Sequence, residues 1–392
     1  MRKWMAGLLA TALVSTLFTG CAPASGGSSG SAGGDTIKIG QAVALTGDNS
    51  VWGQSEKKAL EMEIAKINAG GGVDGKKIEL VAYDTRGDAT EGVNVAKRLV
   101  SDKVSAIIGP GQSGVSIAMG AVTEMAKIPF IATSATNPKV TVDDKTGKVR
   151  KYAFRTCFID PFQGTVAAQF AYKQLGCKTA AVIYDVGSDY SSFLGKYFME
   201  EFVKQGGKMV GNEAFRSGEL DFRAVLGKIK ESKPDILFIP TQQKEASLIM
   251  KQAGDLGFKP KFMGGDGWAS PDLITLGGAA VEGSYFVNTA CLDDPDIQGF
   301  LKEYRTKYGE DPVMPNPVLA IDALDAIIDA IKVTKSTDSA TIAAQLEKTK
   351  GLQVLTGKLT IDPATHNPLN KPAVIQEVKD GKFIMNTKFV TQ

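Results

Sequence analysis

Residues 104–116 read VSAIIGPGQSGVS, an apolar strand that runs into a glycine-rich turn and then into a helical pattern. Gly109, Gly111 and Gly114 fit the G-x-G-x-x-G pattern of dinucleotide-binding folds. The same run also fits a phosphate-binding loop, except that Val115 stands where such a loop has its lysine. The stretch therefore predicts a strand, a turn and a helix whose first N–H groups are exposed to a ligand.

A nucleotide is nevertheless disfavoured as the ligand of this turn. The missing lysine removes the positive charge that a phosphate-binding loop places against the terminal phosphates. A dinucleotide-binding turn opens the first strand–helix unit of its domain, whereas this one follows a third predicted strand. We therefore expect no nucleotide and no other cofactor, and interpret the helix that starts after Ser113 as a binding site for a different anion.

The N-terminus has the features of an export signal. Arg2 and Lys3 precede the apolar run MAGLLATALVSTLF, which is short for a membrane span and typical of a secretory signal peptide. The following LFTGC resembles a lipobox, so we predict a signal peptide at 1–20, lipidation of Cys21 and a flexible linker at 21–34. A plain cleaved signal and a single membrane anchor are the alternatives. The expected location is the periplasm or the outer cell surface, with a lipid anchor in the membrane.

Composition excludes several classes of function. The length of 392 residues suggests two domains. Without residues 1–20 the chain has 43 basic and 43 acidic side chains, so no basic surface for nucleic acid is expected. The only histidine, His366, lies in the turn-like DPATHNP, where we expect it to be exposed. A single loop histidine argues against catalytic residues, against a metal site and against an enzyme.

Strands and helices alternate along the chain, which indicates an α/β fold with parallel-type sheets covered on both faces. The unit that contains VSAIIG and ends in IPFIAT occurs a second time, where PDILFIP is followed by a helix and KFMGGDGW. The repeat predicts two Rossmann-like lobes. Ligands gather at the carboxyl ends of parallel strands, so a cleft between the lobes would be lined from both sides.

The loops of the two lobes differ in charge. PGQSG and TSATNP supply hydroxyls and free N–H groups without lysine or arginine, which favours a carboxylate. GGDGW supplies Asp266, which can accept hydrogen bonds from a cation, although an aspartate that caps its own turn is the alternative. Together the two loops predict a zwitterionic ligand, namely a free amino acid.

Seven segments that follow in order carry a resemblance to a known family. They read IKIGQAVALTGDNSVWGQ, INAGGGVDGKKIELVAYD, IIGPGQSG, IPFIATSATNP, YAFRTCFIDPFQG, AAVIYDVGSDY and FMGGDGW. In these segments the chain resembles the branched-chain amino acid binding proteins of ABC transporters, which have the type I periplasmic binding fold. The resemblance covers nearly all of the chain after the linker.

The resemblance implies roles for individual residues. Ser113 and Thr136, with the backbone of Ser134, match positions that hold the ligand carboxylate and amine, and Asp266 matches the acid that receives the ammonium group. The positions that it places along the pocket are Trp52, Tyr190, Gln242, Gly267 and Asn316. Ordinary lobe packing is the alternative for the first two. Gln242 stands where the family often has tyrosine, and Asn316 near a family phenylalanine, so a purely aliphatic side-chain pocket is in doubt.

The resemblance also implies three crossings between the lobes. It places one lobe at 35–157 and 290–368, and the other at 158–289 and 369–392. The three cysteines that remain after Cys21 are Cys157, Cys177 and Cys291, and no metal-binding spacing occurs among them. Buried free thiols are one expectation. A bridge between Cys157 and Cys291 is the alternative, because the first two crossings should lie side by side.

The function that this pattern predicts is capture of a solute without chemistry. We expect a monomeric lipoprotein that binds an amino acid, branched-chain or otherwise neutral, and delivers it to the permease of an ABC transporter. A sensing module of the same fold for amides, urea or aromatic acids is the alternative. An extracellular enzyme is disfavoured because no G-x-S-x-G turn with a usable histidine occurs.

Overall fold

The protein has two α/β lobes within one chain. The structure is a computed structural model that describes residues 36–314 and 316–389. The predicted signal peptide, linker and lipidation site at Cys21 lie outside the described residues and stay predictions. Within the described ranges, no helix combines the length and the hydropathy needed to cross a membrane.

The described strands form two large sheets and one short hairpin. The strands are β1 (Ile37–Val43), β2 (Ile78–Asp84), β3 (Ala106–Ile108), β4 (Phe130–Ala132), β5 (Ala153–Arg155), β6 (Thr179–Asp185), β7 (Lys208–Phe215), β8 (Ile236–Ile239), β9 (Lys261–Gly264), β10 (Tyr285–Asn288), β11 (Leu352–Val354), β12 (Gly357–Leu359), β13 (Ala373–Lys379) and β14 (Lys382–Phe389). The first sheet has the order β2-β1-β3-β4-β5 and is parallel throughout. The second has the order β14-β13-β10-β9-β8-β6-β7. In it, β13 runs antiparallel to both of its neighbours, β10 and β14.

Helices cover both faces of each sheet. They are α1 (Ser50–Ala69), α2 (Ala89–Ser101), α3 (Ser113–Ala126), α4 (Asp160–Gln169), α5 (Asp189–Lys204), α6 (Arg223–Glu231), α7 (Gln243–Asp255), α8 (Pro271–Gly277), α9 (Gln298–Tyr308), α10 (Pro317–Thr334) and α11 (Ser339–Leu346). On the first sheet, α1 and α10 bury one apolar face, and α2 and α3 bury the other. On the second, α4 and α5 cover one face, and α6, α7 and α8 cover the other. This arrangement confirms the predicted α/β class.

Local sequence signals fix the helices that lead into the cleft. The helix α1 ends at Ala69, directly before three consecutive glycines that begin at Gly70, a residue type that favours the end of a helix. Asp88 accepts a hydrogen bond from Glu91 N at 2.9 Å and so caps α2. The helix α3 begins at Ser113 itself, so the glycine-rich turn delivers the chain straight into a helix N-terminus.

The chain passes three times between the two sheets. It leaves the first sheet after β5, leaves the second after β10, and returns to the second between β12 and β13. The helix α10 packs on the first sheet, so the segment between the second and third crossings belongs to that lobe. The exact lobe boundaries at 157, 290 and 368 stay a prediction.

The expected exposure of His366 is wrong. The side chain is 1% exposed, and its ring stacks on Phe154 with centroids 4.2 Å apart. Nδ1 donates a hydrogen bond to Ala153 O at 3.1 Å, and burial lowers the pKa of the imidazole. The surrounding residues do form a turn, but the turn folds onto β5, so its histidine fills a gap in the core of the first lobe.

The predicted alternative of a disulfide bridge is also wrong. Cys157, Cys177 and Cys291 are all free and buried. The Cys157 thiol donates to Ala135 O at 3.5 Å, and Cys291 Sγ accepts from Gln376 Nε2 at 3.1 Å. Each thiol of the proposed pair therefore has its own polar partner, and the expectation of buried free thiols is confirmed.

Candidate functional site

A cavity of about 540 Å³ lies between the carboxyl ends of the two sheets. Its lining comes from the loops that follow β1, β2, β3 and β4 on one wall, and from those that follow β6, β7, β8 and β9 on the other. Because parallel strands end at a common edge, the loops that follow these strands in each lobe lie next to the same space. The fold therefore builds one shared site.

The first wall contains a helix N-terminus that has no anionic partner of its own. No side chain caps α3, and its first turn contains no acidic residue. The helix α1, which begins at the cavity after Asn49, is likewise uncapped and has no acid in its first turn, whereas three other helices that begin there differ. Asp88 caps α2 and Ser188 caps α5, and each of these helices has an acid in its first turn, as does α7 with Glu245. The positive end of the α3 dipole is thus available to a ligand anion.

Hydroxyl groups complete this anion site. Ser113 is 3% exposed, and its Oγ accepts a hydrogen bond from Asn137 N at 3.2 Å, which leaves its own proton to donate to a ligand. Ser134 Oγ donates to Gly111 O at 3.3 Å. A Cβ on Gly111 would lie 2.6 Å from Ser134 Oγ, so only glycine lets the two loops approach this closely.

The second wall contains a buried carboxylate. Asp266 follows β9, lines the cavity and is 3% exposed. Its Oδ1 accepts a hydrogen bond from Gln163 Nε2 at 2.8 Å, while burial raises the pKa of the carboxyl to about 6. No lysine or arginine within 36–314 and 316–389 lines the cavity. A cationic ligand group would supply the charge that the protein does not.

Two aromatic side chains lie at the cavity and also pack in the lobes. Trp52, near the start of α1, is 7% exposed and packs against the apolar cluster of the second lobe, although α1 belongs to the first. The Tyr190 hydroxyl accepts a hydrogen bond from Gly267 N at 3.1 Å, which holds the loop that carries Asp266. Both residues line the cavity, so packing and lining are not exclusive.

The structure brings together most of the residues predicted from the sequence, but not all. Those that line the cavity are Trp52, Ser113, Ser134, Tyr190, Gln242, Asp266 and Gly267. Thr136 and Asn316 are not among the lining residues. Both are fully buried, and their side-chain polar atoms make no hydrogen bond in the described structure. Their roles in ligand binding, like those of the other predicted positions, stay predictions.

Several lining residues were missed by the sequence analysis. They include Asn49, Gln112, Asp185, Ser188, Ser217 and Glu245. Most come directly after a strand or at a helix N-terminus. The rule that ligands gather at the carboxyl ends of strands would have found Asp185, Ser188 and Ser217 if it had been applied to β6 and to β7, a strand that the sequence analysis did not identify. Asn49, Gln112 and Glu245 follow β1, β3 and β8, and the same rule applied to every residue of those loops would have included them.

The two lobes contact each other through polar groups close to cavity-lining residues. Lys244 Nζ of the second lobe lies 2.8 Å from Asp48 Oδ2 of the first. Asn137 Nδ2 donates to Asp189 O at 2.8 Å, and Lys139 Nζ lies 3.4 Å from Asp189 Oδ1. The two ion pairs are partly exposed, so each contributes little to the association of the lobes.

We expect the affinity for any ligand that meets Asp266 with an ammonium group to fall as the pH drops below about 6. Burial raises the pKa of free Asp266 to about 6, and a bound ammonium group would lower it again. Below pH 6, binding must therefore expel a proton, which weakens affinity by up to about tenfold per pH unit. Titration calorimetry between pH 7.5 and 5 measures this slope. An equal slope in an Asp266→Asn variant would assign it to another acid, such as buried Glu56.

Comparison with known proteins agrees with the fold. A family model described as periplasmic binding protein matches residues 36–382. The Leu/Ile/Val-binding protein homolog 1 of Brucella suis is 31% identical over 350 residues, which cover 88% of this chain and 92% of that protein. The chain therefore belongs to the periplasmic binding protein family.

Two crystal structures are similar to the whole described chain. The leucine binding protein LivK of Thermotoga maritima superposes with a TM-score of 0.83 at 35% identity, and covers 90% of this chain and 99% of its own. The branched-chain amino acid transporter substrate binding protein LivJ of Streptococcus pneumoniae, solved with isoleucine, has a TM-score of 0.82 at 32% identity, with coverage of 91% and 99%.

Proposed function

We propose that this protein captures a free α-amino acid between its lobes and delivers it to the permease of an ABC transporter. The observation that carries the proposal is the pairing of two unlike groups on one cavity, an uncapped helix N-terminus at Ser113 and the buried carboxylate of Asp266. The first suits a carboxylate, and the second suits an ammonium group.

These two groups supply enough free energy for a transport receptor. A charge-assisted hydrogen bond contributes about 1.5 to 3 kcal/mol. Three or four of them approach the roughly 8 kcal/mol that corresponds to micromolar affinity. The ligand touches both walls only when the lobes are closed, so binding favours closure by the difference in affinity between the open and closed forms. No bond is broken in this cycle.

The names of the similar proteins support the transport role. Relatives are Leu/Ile/Val-binding proteins, and the similar S. pneumoniae protein serves branched-chain amino acid transport. Family members act outside the cytoplasm, which agrees with the export signal at 1–20. On this proposal, the lipid on Cys21 and the linker at 21–34 hold a monomeric receptor near its permease. Among amino acids, the relatives' names suggest branched-chain or other neutral side chains.

The test is a ligand screen by titration calorimetry and by the fluorescence of Trp52. The panel contains the twenty amino acids, small amides, urea and aromatic acids, followed by the N-acetyl and methyl-ester derivatives of the tightest amino acid. We expect amino acids to bind, and each derivative to bind at least tenfold more weakly because it lacks one head-group charge. Tight binding of aromatic acids or amides, with no amino acid bound, would contradict the proposal and support the sensing alternative.

A further inference from the structure

The part of the cavity beyond the amino-acid head group is polar. Apart from Trp52, Tyr190, Ala89 and Val115, the lining residues are polar or glycine. Within the described part of the chain, no leucine, isoleucine, methionine or phenylalanine lines the cavity. Pockets for apolar groups are lined mostly by apolar side chains. A buried aliphatic side chain would here displace water from polar groups and offer them no hydrogen bond in return.

The cavity is also acidic. Five carboxylates line it, those of Asp88, Asp185, Asp189, Glu245 and Asp266, and none of the described lysines or arginines does. Three of the five have other partners. Asp88 caps its own helix, Asp189 is paired with a lysine, and Asp266 faces the ligand ammonium in the proposed function. Two carboxylates, Asp185 and Glu245, neither cap a helix nor form an ion pair among the described residues, although Asp185 accepts hydrogen bonds from Gly187 N and Ser217 Oγ.

These two acids lie together on the wall of the second lobe. Glu245 is in the first turn of α7, three residues after Gln242. The side chain of Gln242 lies beside Gly267. Asp185 ends β6, where Gly187 N donates to its Oδ1 at 2.8 Å and Ser217 donates to its Oδ2. Burial raises the pKa of Glu245, its own backbone N–H and the charge of Lys244 lower it, and the charges of Asp48 and Asp185 raise it, so that the pKa is raised overall. Lys244 offsets the charge of Glu245 only in part, because its Nζ is paired with Asp48.

Groups elsewhere on the cavity also lack partners. The indole Nε1 of Trp52 makes no hydrogen bond, although the side chain is more than nine-tenths buried and lines the cavity. On the same wall, the Oε1 of Gln112 is buried without a donor. The Trp52 N–H needs a ligand acceptor, which the head-group carboxylate can supply. The Gln112 oxygen and the two carboxylates need N–H donors, which the ligand's ammonium group and a cationic side chain can supply.

We propose that the cavity takes an amino acid whose side chain ends in a cation, with Glu245 and Asp185 receiving that charge. This inference rests on the proposed function, since the head group must be held at Ser113 and Asp266. One turn of α7 separates the head-group region at Gln242 from Glu245, a distance of about 5 to 6 Å between Cβ atoms. The three- or four-carbon stem of a basic amino acid can span this distance.

The experiment compares L-arginine with L-citrulline, its neutral analogue of nearly the same shape, and with L-lysine and L-leucine. Dissociation constants are measured by titration calorimetry on the intact protein at pH 7.5. We expect arginine or lysine to bind about tenfold or more tightly than citrulline and leucine, because charge-assisted hydrogen bonds are roughly twice as strong as neutral ones.

Substitutions test whether Glu245 and Asp185 cause the preference for arginine over citrulline. Glu245→Gln should bring the arginine-to-citrulline ratio close to one. Glu231→Gln, an exposed acid on α6 of the same lobe, is the matched control and should keep the ratio. If the Glu245 variant does not fold, as judged by thermal unfolding, Asp185→Asn provides the same test.

The outcomes separate the two proposals. Leucine or citrulline binding as tightly as arginine would overturn the cationic side chain and leave amino-acid capture intact. An unchanged arginine-to-citrulline ratio in folded Glu245 and Asp185 variants would also overturn it. Binding of no amino acid at all would overturn the proposed function itself, and this inference with it.

Discussion

Replacing Asp266 with asparagine should weaken amino-acid binding by about tenfold to 100-fold. On the proposed function, the substitution removes the charge that would receive the ligand's ammonium group, and a charge-assisted hydrogen bond is worth about 1.5 to 3 kcal/mol. Asparagine keeps the shape of the side chain and an oxygen for Gln163 Nε2, which now donates to Asp266 Oδ1 at 2.8 Å. The loss should therefore come from the ligand contact, with the loop at β9 left in place.

Titration calorimetry on the tightest amino acid measures this loss. The matched control is Asp255→Asn, which removes the same charge from an exposed site at the end of α7 in the same lobe. Unfolding without ligand separates affinity from stability. The pKa of Asp266 is about 6 in the folded protein and 3.8 in an unperturbed aspartate, so its carboxylate destabilises the fold above pH 6. At pH 7.5 the Asp266→Asn variant should therefore unfold at a temperature no lower than that of the unsubstituted protein. Unchanged affinity would show that Asp266 does not receive the ligand's ammonium group.

Local chemistry made the repeated strand–turn–helix units predictable from the sequence. The apolar run before Gly109, the capping side chain of Asp88 and the glycines after α1 each act within a few residues. The hairpin of β13 and β14 was not predicted, although the Asp380-Gly381 turn between the two strands is a local hairpin signal. The pairing of β13 with β10 spans about 90 residues of chain, and a pattern confined to one segment contains no information about such a partner.

Burial of loop residues was the least predictable property. The composition of DPATHNP correctly indicates a turn, but His366 is buried because Phe154 and Ala153, more than 200 residues away, provide a ring to stack on and a carbonyl to bond. Thr136 shows the same limit. Its position after β4 places the backbone near the cleft, whereas the direction of its side chain depends on packing from other segments.

The chemistry of the cavity was predictable only in part, for a related reason. The head-group pair at Ser113 and Asp266 stands out in sequence because each follows a strand and a glycine-rich turn. Asp185 ends β6, whereas Glu245 is in the helix that follows β8. Their proximity therefore depends on the order of β6 and β8 in the sheet. Sequence therefore predicts the class of ligand better than it predicts the ligand's side chain.

A buried ion pair at the third crossing should control the stability of the protein. Lys371 Nζ lies 2.8 Å from Asp322 Oδ2, and the two side chains are 6% and 0% exposed. The Thr356 hydroxyl bonds to both, and Thr356 N donates to Asp322 Oδ1 at 3.1 Å. The pair ties α10 of the first lobe to the segment that leads into β13 of the second.

Lys371→Met should lower the free energy of unfolding by roughly 3 to 5 kcal/mol, because it leaves the buried Asp322 carboxylate without its cation. Urea unfolding without ligand at pH 7.5 measures the change. Lys57→Met is the matched control: Lys57 Nζ lies 2.7 Å from Glu61 Oε1 at a surface where both side chains are exposed, so its loss should cost less than about 1 kcal/mol. Adding Asp322→Asn to Lys371→Met should recover more than half of the loss, since an asparagine oxygen can still accept from Thr356 N without carrying a charge. Equal losses for Lys371→Met and Lys57→Met would show that the buried pair contributes no more than a surface pair, and that packing alone holds this crossing together.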